Sequence, residues 1–101
     1  MKGVVALALL WILWNQVYTD GKLSRPWRHE EIFESKDGCV GALPDRIEKK
    51  RRDVSRFSEE LGWGWRVTVA ENKLVLKTPN FVRVIEHLCL PSGIDPRRYI
   101  G

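Results

Sequence analysis

The sequence predicts an α+β domain in which a small antiparallel sheet of three to four strands packs on one long helix with a kink, in the order β-α-β-β-β. Three observations predict it. Apolar residues at Val40, Leu43, Ile47, Val54, Phe57 and Leu61 recur at helical intervals and fall on one side of a helix. Trp65, Val67 and Val69, then Leu74 and Leu76, alternate with their neighbours on either side of Glu71-Asn72, the pattern of a hairpin with one apolar face. The run from Trp11 to Thr19 is aromatic and β-branched, which suits a pleated, half-buried surface.

A chain of 101 residues accommodates one such domain with a small core. Hydrophobic residues at 44% and charged ones at 30% give a globular rather than a disordered composition. The net charge of +4 is mild, enough for solubility and too small to define an anionic partner.

The N-terminus decides the compartment. Lys2 precedes an apolar run from Val4 to Trp14, an arrangement that resembles the charged and apolar regions of an export signal. It is shorter than the roughly 20 apolar residues that span a bilayer. No small-x-small cleavage pattern follows in Asn15 to Asp20. Two readings remain: residues 1–10 are a short or truncated export signal running into a strand at Trp11, or the whole run is a buried strand. The first is adopted, giving a domain over residues 11–101 in a periplasmic or secreted protein, its N-terminal segment cleaved or kept as a tether. No other membrane span is expected.

Past the first strand, Asp20-Gly21 marks a turn and Ser24-Arg25-Pro26 an irregular stretch, since the residue before proline avoids helix. Trp27 stands alone among polar neighbours and is expected to lie over one end of the core. Ser35 is a candidate N-cap, and Asp37 in the first turn suits the helix dipole. Gly38, Gly41 and Pro44 weaken this opening, so a short helix over 36–43 is expected to kink or restart at Pro44. Lys50 interrupts the apolar stripe, its stem expected along the core surface and its ammonium in water. Gly62 ends the helix. Phe81 to Leu90 fits either a helical face or a strand, and Pro91 and Pro96 impose an irregular tail.

Candidate functional residues are few. Cys39 and Cys89 are the two cysteines: in an exported chain they pair, in a cytosolic one they are reduced and pack as small hydrophobes. Neither belongs to a CxxC motif. Arg46, Lys49, Arg52 and Arg56 form a basic helix segment and are the candidate anion-binding residues. Asp45, Glu48, Glu59 and Glu60 stand at ion-pair spacing beside them, which favours a solvated face. Trp63 and Trp65 share one side of an extended segment and are expected in the core rather than as a binding platform. His29 and His87 lack metal-ligand spacing. No Ser-His-Asp or HExxH arrangement appears, so a non-enzyme without cofactor or metal is expected.

One resemblance adds to this. Cys89-Leu90-Pro91 followed by Asp95-Pro96-Arg97, together with Trp11, Leu13 and Trp14, an isolated Trp27, and Phe33 ahead of Cys39, is similar to a family of small, functionally uncharacterised bacterial proteins that carry export signals and close on a CLPxxxDPR-type motif. Ser92-Gly93-Ile94 departs from the Asp-Thr-Val usual between the two parts of that motif. The resemblance implies export, a Cys39–Cys89 pair and a strand before Cys89. The expected function is that of a monomeric, disulfide-bonded binding or structural module of the cell envelope, its partner an envelope protein or component. The alternative is a basic-helix module that binds nucleic acid or an acidic surface.

Overall fold

Asp20 and Gly21 take φ values of 53° and 79°, the left-handed backbone that a two-residue hairpin turn requires and that an Asp-Gly pair tolerates. They join strand β1 (Trp11–Thr19) to strand β2 (Lys22–Phe33). A computed structural model describes residues 10–62 and 64–99. The expected export segment, apart from Leu10, and Trp63 therefore lie outside the described residues. Helix α1 (Lys36–Leu61) follows β2, then come β3 (Arg66–Ala70), β4 (Lys73–Lys77), β5 (Val82–Pro91) and a short helix α2 (Pro96–Tyr99).

The strands form one sheet in the order β2-β1-β5-β4-β3, each neighbouring pair antiparallel. A small antiparallel sheet on one long helix is the expected α+β class. The strand count is corrected to five, and the order to β-β-α-β-β-β-α. The strand missed from sequence is β2, read there as irregular. It is an edge strand, so Pro26 costs no ladder bond. It is also bulged, with register shifts against β1 between Leu13 and Trp14, Asn15 and Val17, and Val17 and Tyr18, and each shift breaks the two-residue alternation that identifies a strand.

The expected restart at Pro44 is likewise replaced by one helix of 26 residues. Proline leaves the carbonyl four residues earlier without its donor. That carbonyl belongs to Val40, a residue 45% exposed on the rim of the helix. The ends are as expected: the Ser35 hydroxyl accepts from the Gly38 N–H at 3.0 Å, and Gly62 closes the helix at φ 67°. Phe81 to Leu90 resolves as strand β5, which lies between β1 and β4.

Two small cores sit on opposite faces of the sheet. Under α1, Ile47, Leu74 and Leu76 are buried, with Leu43, Val54, Trp65, Val67 and Ile85 packed around them. On the far face Ile12, Trp14 and Trp27 form the second cluster with Leu88 and Leu90. Trp27 is thus in the core. The far face is covered by the C-terminal segment, whose Pro96 is buried and whose Arg97 guanidinium lies 5.4 Å from the Trp14 ring centroid.

Cys39 in the first turns of α1 is bonded to Cys89 in β5, with Cα atoms 6.1 Å apart and a sequence separation of 50. Closing a loop of that size stabilises the fold by about 4 kcal/mol in the chain-entropy model. The double variant C39A/C89A is expected to lose about that much unfolding free energy, read as a lower urea midpoint by circular dichroism. An unchanged midpoint would show that the bond does not hold the fold.

Candidate functional site

The first bulge in β2 sets the polar interior. Leu13 pairs with Glu31 and Trp14 with His29, so Glu30 is the extra residue. A bulge lets two successive side chains lean to the same face, and here both carboxylates meet α1. Glu31 accepts two hydrogen bonds from the Arg46 guanidinium, at 2.7 and 2.8 Å. Glu30 takes a short charge-assisted hydrogen bond from the Lys50 ammonium. Arg46 and Lys50 are one helical turn apart, about 6 Å along the axis, so they lie on one side of the helix and meet adjacent acids.

From Lys50 the network runs under the helix. Its Nζ lies 2.9 Å from His87 Nε2. His87 is fully buried on β5, and its Nδ1 is 3.2 Å from the Asn72 carbonyl oxygen. An ammonium only donates, so Nε2 accepts and Nδ1 carries the proton toward Asn72. The ring is neutral. Asn15 Nδ2 donates to Glu30 at 2.6 Å, and Asn15 Oδ1 accepts from Arg25 at 2.5 Å. The chain Arg25, Asn15, Glu30, Lys50, His87, Asn72 thus links β2, β1, α1, β5 and the β3–β4 turn. Arg25 Nε is buried without a partner.

Burial and then the Lys50 charge push the His87 pKa below its ordinary value, against the smaller opposing effects of Glu30 and the Asn72 backbone. Burial works to raise the Glu30 pKa, but the bond and charge of Lys50, with the Asn15 amide, outweigh it and leave the carboxyl below its usual range. Chemically, this is a network that fixes α1 over the sheet, with Glu30, Lys50 and His87 bonded to one another. Sequence reasoning placed the Lys50 ammonium in water, and the structure corrects this. The available signal was a lysine inside the apolar stripe. Its partner Glu30 was hidden by the unread bulge.

Of the four candidate anion-binding residues, one is turned inward and three stay together on one face. Arg46 turns to Glu31, while Lys49, Arg52 and Arg56 lie along the outer face of α1, Arg56 at 3.6 Å from Asp53. Glu48 pairs with Arg51 at i,i+3 rather than with Arg52.

On the far face, Trp14, His29, Ser92 to Asp95, Arg97 and Arg98 border a cleft of about 350 Å³. Trp14 from β1 and Asp95 and Arg97 from the tail meet here. Asp95 accepts from the Arg97 backbone N–H at 2.9 Å and from its guanidinium at 2.7 Å. Those Arg97 bonds hold the Asp95 carboxyl down to about 2. His29 packs edge-on against Trp14, centroids 4.2 Å apart. Asp-Pro-Arg is thus a latch that folds the tail over Trp14. The indole N–H groups of Trp14 and Trp27 are buried without partners.

On the helix side, Val40, Leu43, Pro44 and Ile47 of α1 and Val69 of β3 line a groove of about 620 Å³, with Asp45, Glu48, Glu71 and Asn72 at its rim. No group of three or more His, Cys, Asp and Glu residues among the described residues is placed to hold a metal ion. Among them no helix is long and apolar enough to cross a membrane. No family model, curated protein or solved structure matches the chain.

The polar network makes stability pH-dependent. Because the His87 pKa is lowered on folding, the unfolded chain binds the proton first, and stability falls as pH drops below about 6.5, the unfolded value, until the folded pKa is passed. The slope from one such group reaches about 1.4 kcal/mol per pH unit. Glu30, also lowered, adds a loss below its ordinary value of 4.5. Urea unfolding at pH 7.5, 6.5 and 5.5 should show the decline, and H87Q should flatten it over that interval. A wild-type curve that is flat there would contradict the neutral, buried ring.

The same network predicts the cost of stranding a charge. K50M leaves the Glu30 carboxylate half-covered beside apolar surface and is expected to destabilise by about 2 to 3 kcal/mol, whereas K49M on the outer face should change stability by less than about 0.5 kcal/mol. Equal effects of the two substitutions in chemical denaturation would remove the distinction.

Proposed function

We propose that the chain is a small exported domain of the bacterial cell envelope, periplasmic or secreted, that acts by binding or scaffolding rather than by catalysis. The observation that carries this reading is the Cys39–Cys89 bond, which persists in oxidising compartments and is reduced in the cytosol. The signal-like character of Lys2 and the apolar run after it supports the same compartment.

The interior chemistry agrees with a module that does not turn over a substrate. Glu30, Lys50 and His87 would be the natural acid, amine and imidazole for catalysis, yet they are committed to one another under α1. The surface instead offers an apolar groove beside β3 and a cleft under the tail, both features suited to contact with another macromolecule. The basic-helix alternative, nucleic acid or an acidic surface as partner, has less to rest on, since Arg46 is bound by Glu31 and turned from the outer face.

Intact mass spectrometry on protein made in a bacterial host from its own start codon tests the compartment. The expected product is found in the periplasmic or extracellular fraction, and its mass rises by the mass of a hydrogen pair on reduction. A product confined to the cytoplasm with both thiols free would overturn the reading.

A further inference from the structure

The tail that closes over Trp14 carries more charge than its own fold uses. Arg97 gives its Nε and Nη2 groups to the two Asp95 oxygens, at 2.7 to 3.2 Å, and lies over the Trp14 ring. A guanidinium held on one edge by a carboxylate and on one face by an aromatic ring has little freedom left to lose on binding. Its Nη1 group has no acceptor among the described residues. Arg98, the next residue, is exposed and its side chain makes no ion pair among them.

Both arginines border the cleft of about 350 Å³, together with His29 and Ser92. All four side chains can donate hydrogen bonds. The one acid on its wall is Asp95, whose charge Arg97 matches, and the Arg97 bonds keep that carboxylate ionised down to about 2. One positive charge, that of Arg98, is left over.

The wall supplied by β1 makes a matching demand. Trp14 is 2% exposed and borders the cleft, and its indole N–H is buried with no acceptor. An unpaired buried donor is costly, and indole has no acceptor role to fall back on. A buried donor and two arginines thus border one space, and each calls for an acceptor.

We propose that this cleft binds a monocarboxylate, held by Arg98 and the Nη1 group of Arg97, with His29 and Ser92 as further donors. A carboxylate site deepens the reading of the chain as a binding module and does not depend on its compartment. Charge selects the class: one negative charge neutralises the site, whereas a dianion leaves an unmatched charge beside Asp95, and such repulsion discriminates against it. Shape selects within the class, because the planar fork of a guanidinium meets a carboxylate through two parallel bonds. The volume stands at the small end of the range for ligand sites, roughly 300 to 1,000 Å³, so the body that carries the carboxylate is small. Free organic acids and the ends of peptide chains both present such a group.

The test is an NMR titration of the isotope-labelled, oxidised full chain at constant ionic strength, with sodium acetate, N-acetylalanine, the amide of N-acetylalanine and inorganic phosphate as probes. The expected result is saturable shift changes at the amides of Ser92 to Arg98 and at the Trp14 indole N–H with the two acids, and none with the neutral amide. Comparable binding of the two acids assigns the site to a free acid, and tighter binding of N-acetylalanine assigns it to a chain end. R98Q should weaken binding about tenfold or more with its circular dichroism unchanged, since Arg98 is exposed and unpaired. R52Q, which removes the same charge from the outer face of α1, should leave binding as it is. Shifts that never saturate overturn the proposal. So does binding of the amide or of phosphate as tight as that of the acids, or an equal loss in R98Q and R52Q. Any of these leaves the exported-domain reading standing, because that reading rests on the Cys39–Cys89 bond; a chain found reduced in the cytoplasm that still binds acetate at this cleft would remove the compartment and keep the site.

Discussion

The fold depends on one topological constraint: α1 begins at one edge of the sheet and ends at the other. β2 and β3 are the two edge strands, and α1 is the connection between them, so the helix must cross all the strands in a single pass. A domain this small buries too few apolar groups to fix such a crossing by packing alone. Three local ties divide the task. Cys39 bonds to Cys89 near the start of α1, Arg46 and Lys50 hold Glu31 and Glu30 in its middle, and the buried Ser58 hydroxyl accepts the Trp65 N–H at 2.9 Å near its end. Around the second tie and on toward the third, the apolar contacts of Ile47 and Val54 with the β3–β4 hairpin fill the space. Val40 and Leu61, at the two ends of the stripe, remain exposed.

How much of this could be read from the chain follows from which ties are local. The Ser35 cap, the Gly62 stop, the Glu71-Asn72 turn and the alternation of β3 and β4 are properties of a few neighbouring residues, and each is where the sequence puts it. Asp20-Gly21 was equally local and correctly seen as a turn, yet the strand after it was passed over. The polar run with Pro26 and Trp27 has no period of two, because an edge strand with three bulges presents no continuous face. Lys50 shows the same limit from the other side. Its position in the stripe is visible in the sequence, but its partners Glu30 and His87 lie 20 and 37 residues away. One of those partners depends on the bulge itself.

The middle tie is an unusual choice for a scarce interior. An ion pair withdrawn from water recovers its desolvation cost only when its remaining bonds are made, and an apolar packing of the same volume is often as stable or more so. What charge supplies here is position. Leu or Val at residue 50 could slide along the sheet by a turn with little loss, whereas Lys50 must meet both Glu30 and the Nε2 of a neutral His87 at once. The requirement that His87 present its lone pair is in turn met from the hairpin, through the Asn72 carbonyl. The turn between β3 and β4 therefore helps to set the register of α1, although the two touch mainly through apolar contacts.

That coupling bears on the two edges. The β2 edge is irregular because its bulge is needed inside, to aim Glu30 and Glu31 at the helix; protection from strand pairing comes with it. The β3 edge has no such duty. Its register is fixed from the opposite side, by β4 and by the bonds of Asn72 to His87, and its outward groups at Val67 and Val69 are left regular and rigidly placed. The interior network and the open edge are thus consequences of one arrangement, in which the hairpin is held firmly on the side facing α1 and left free on the other.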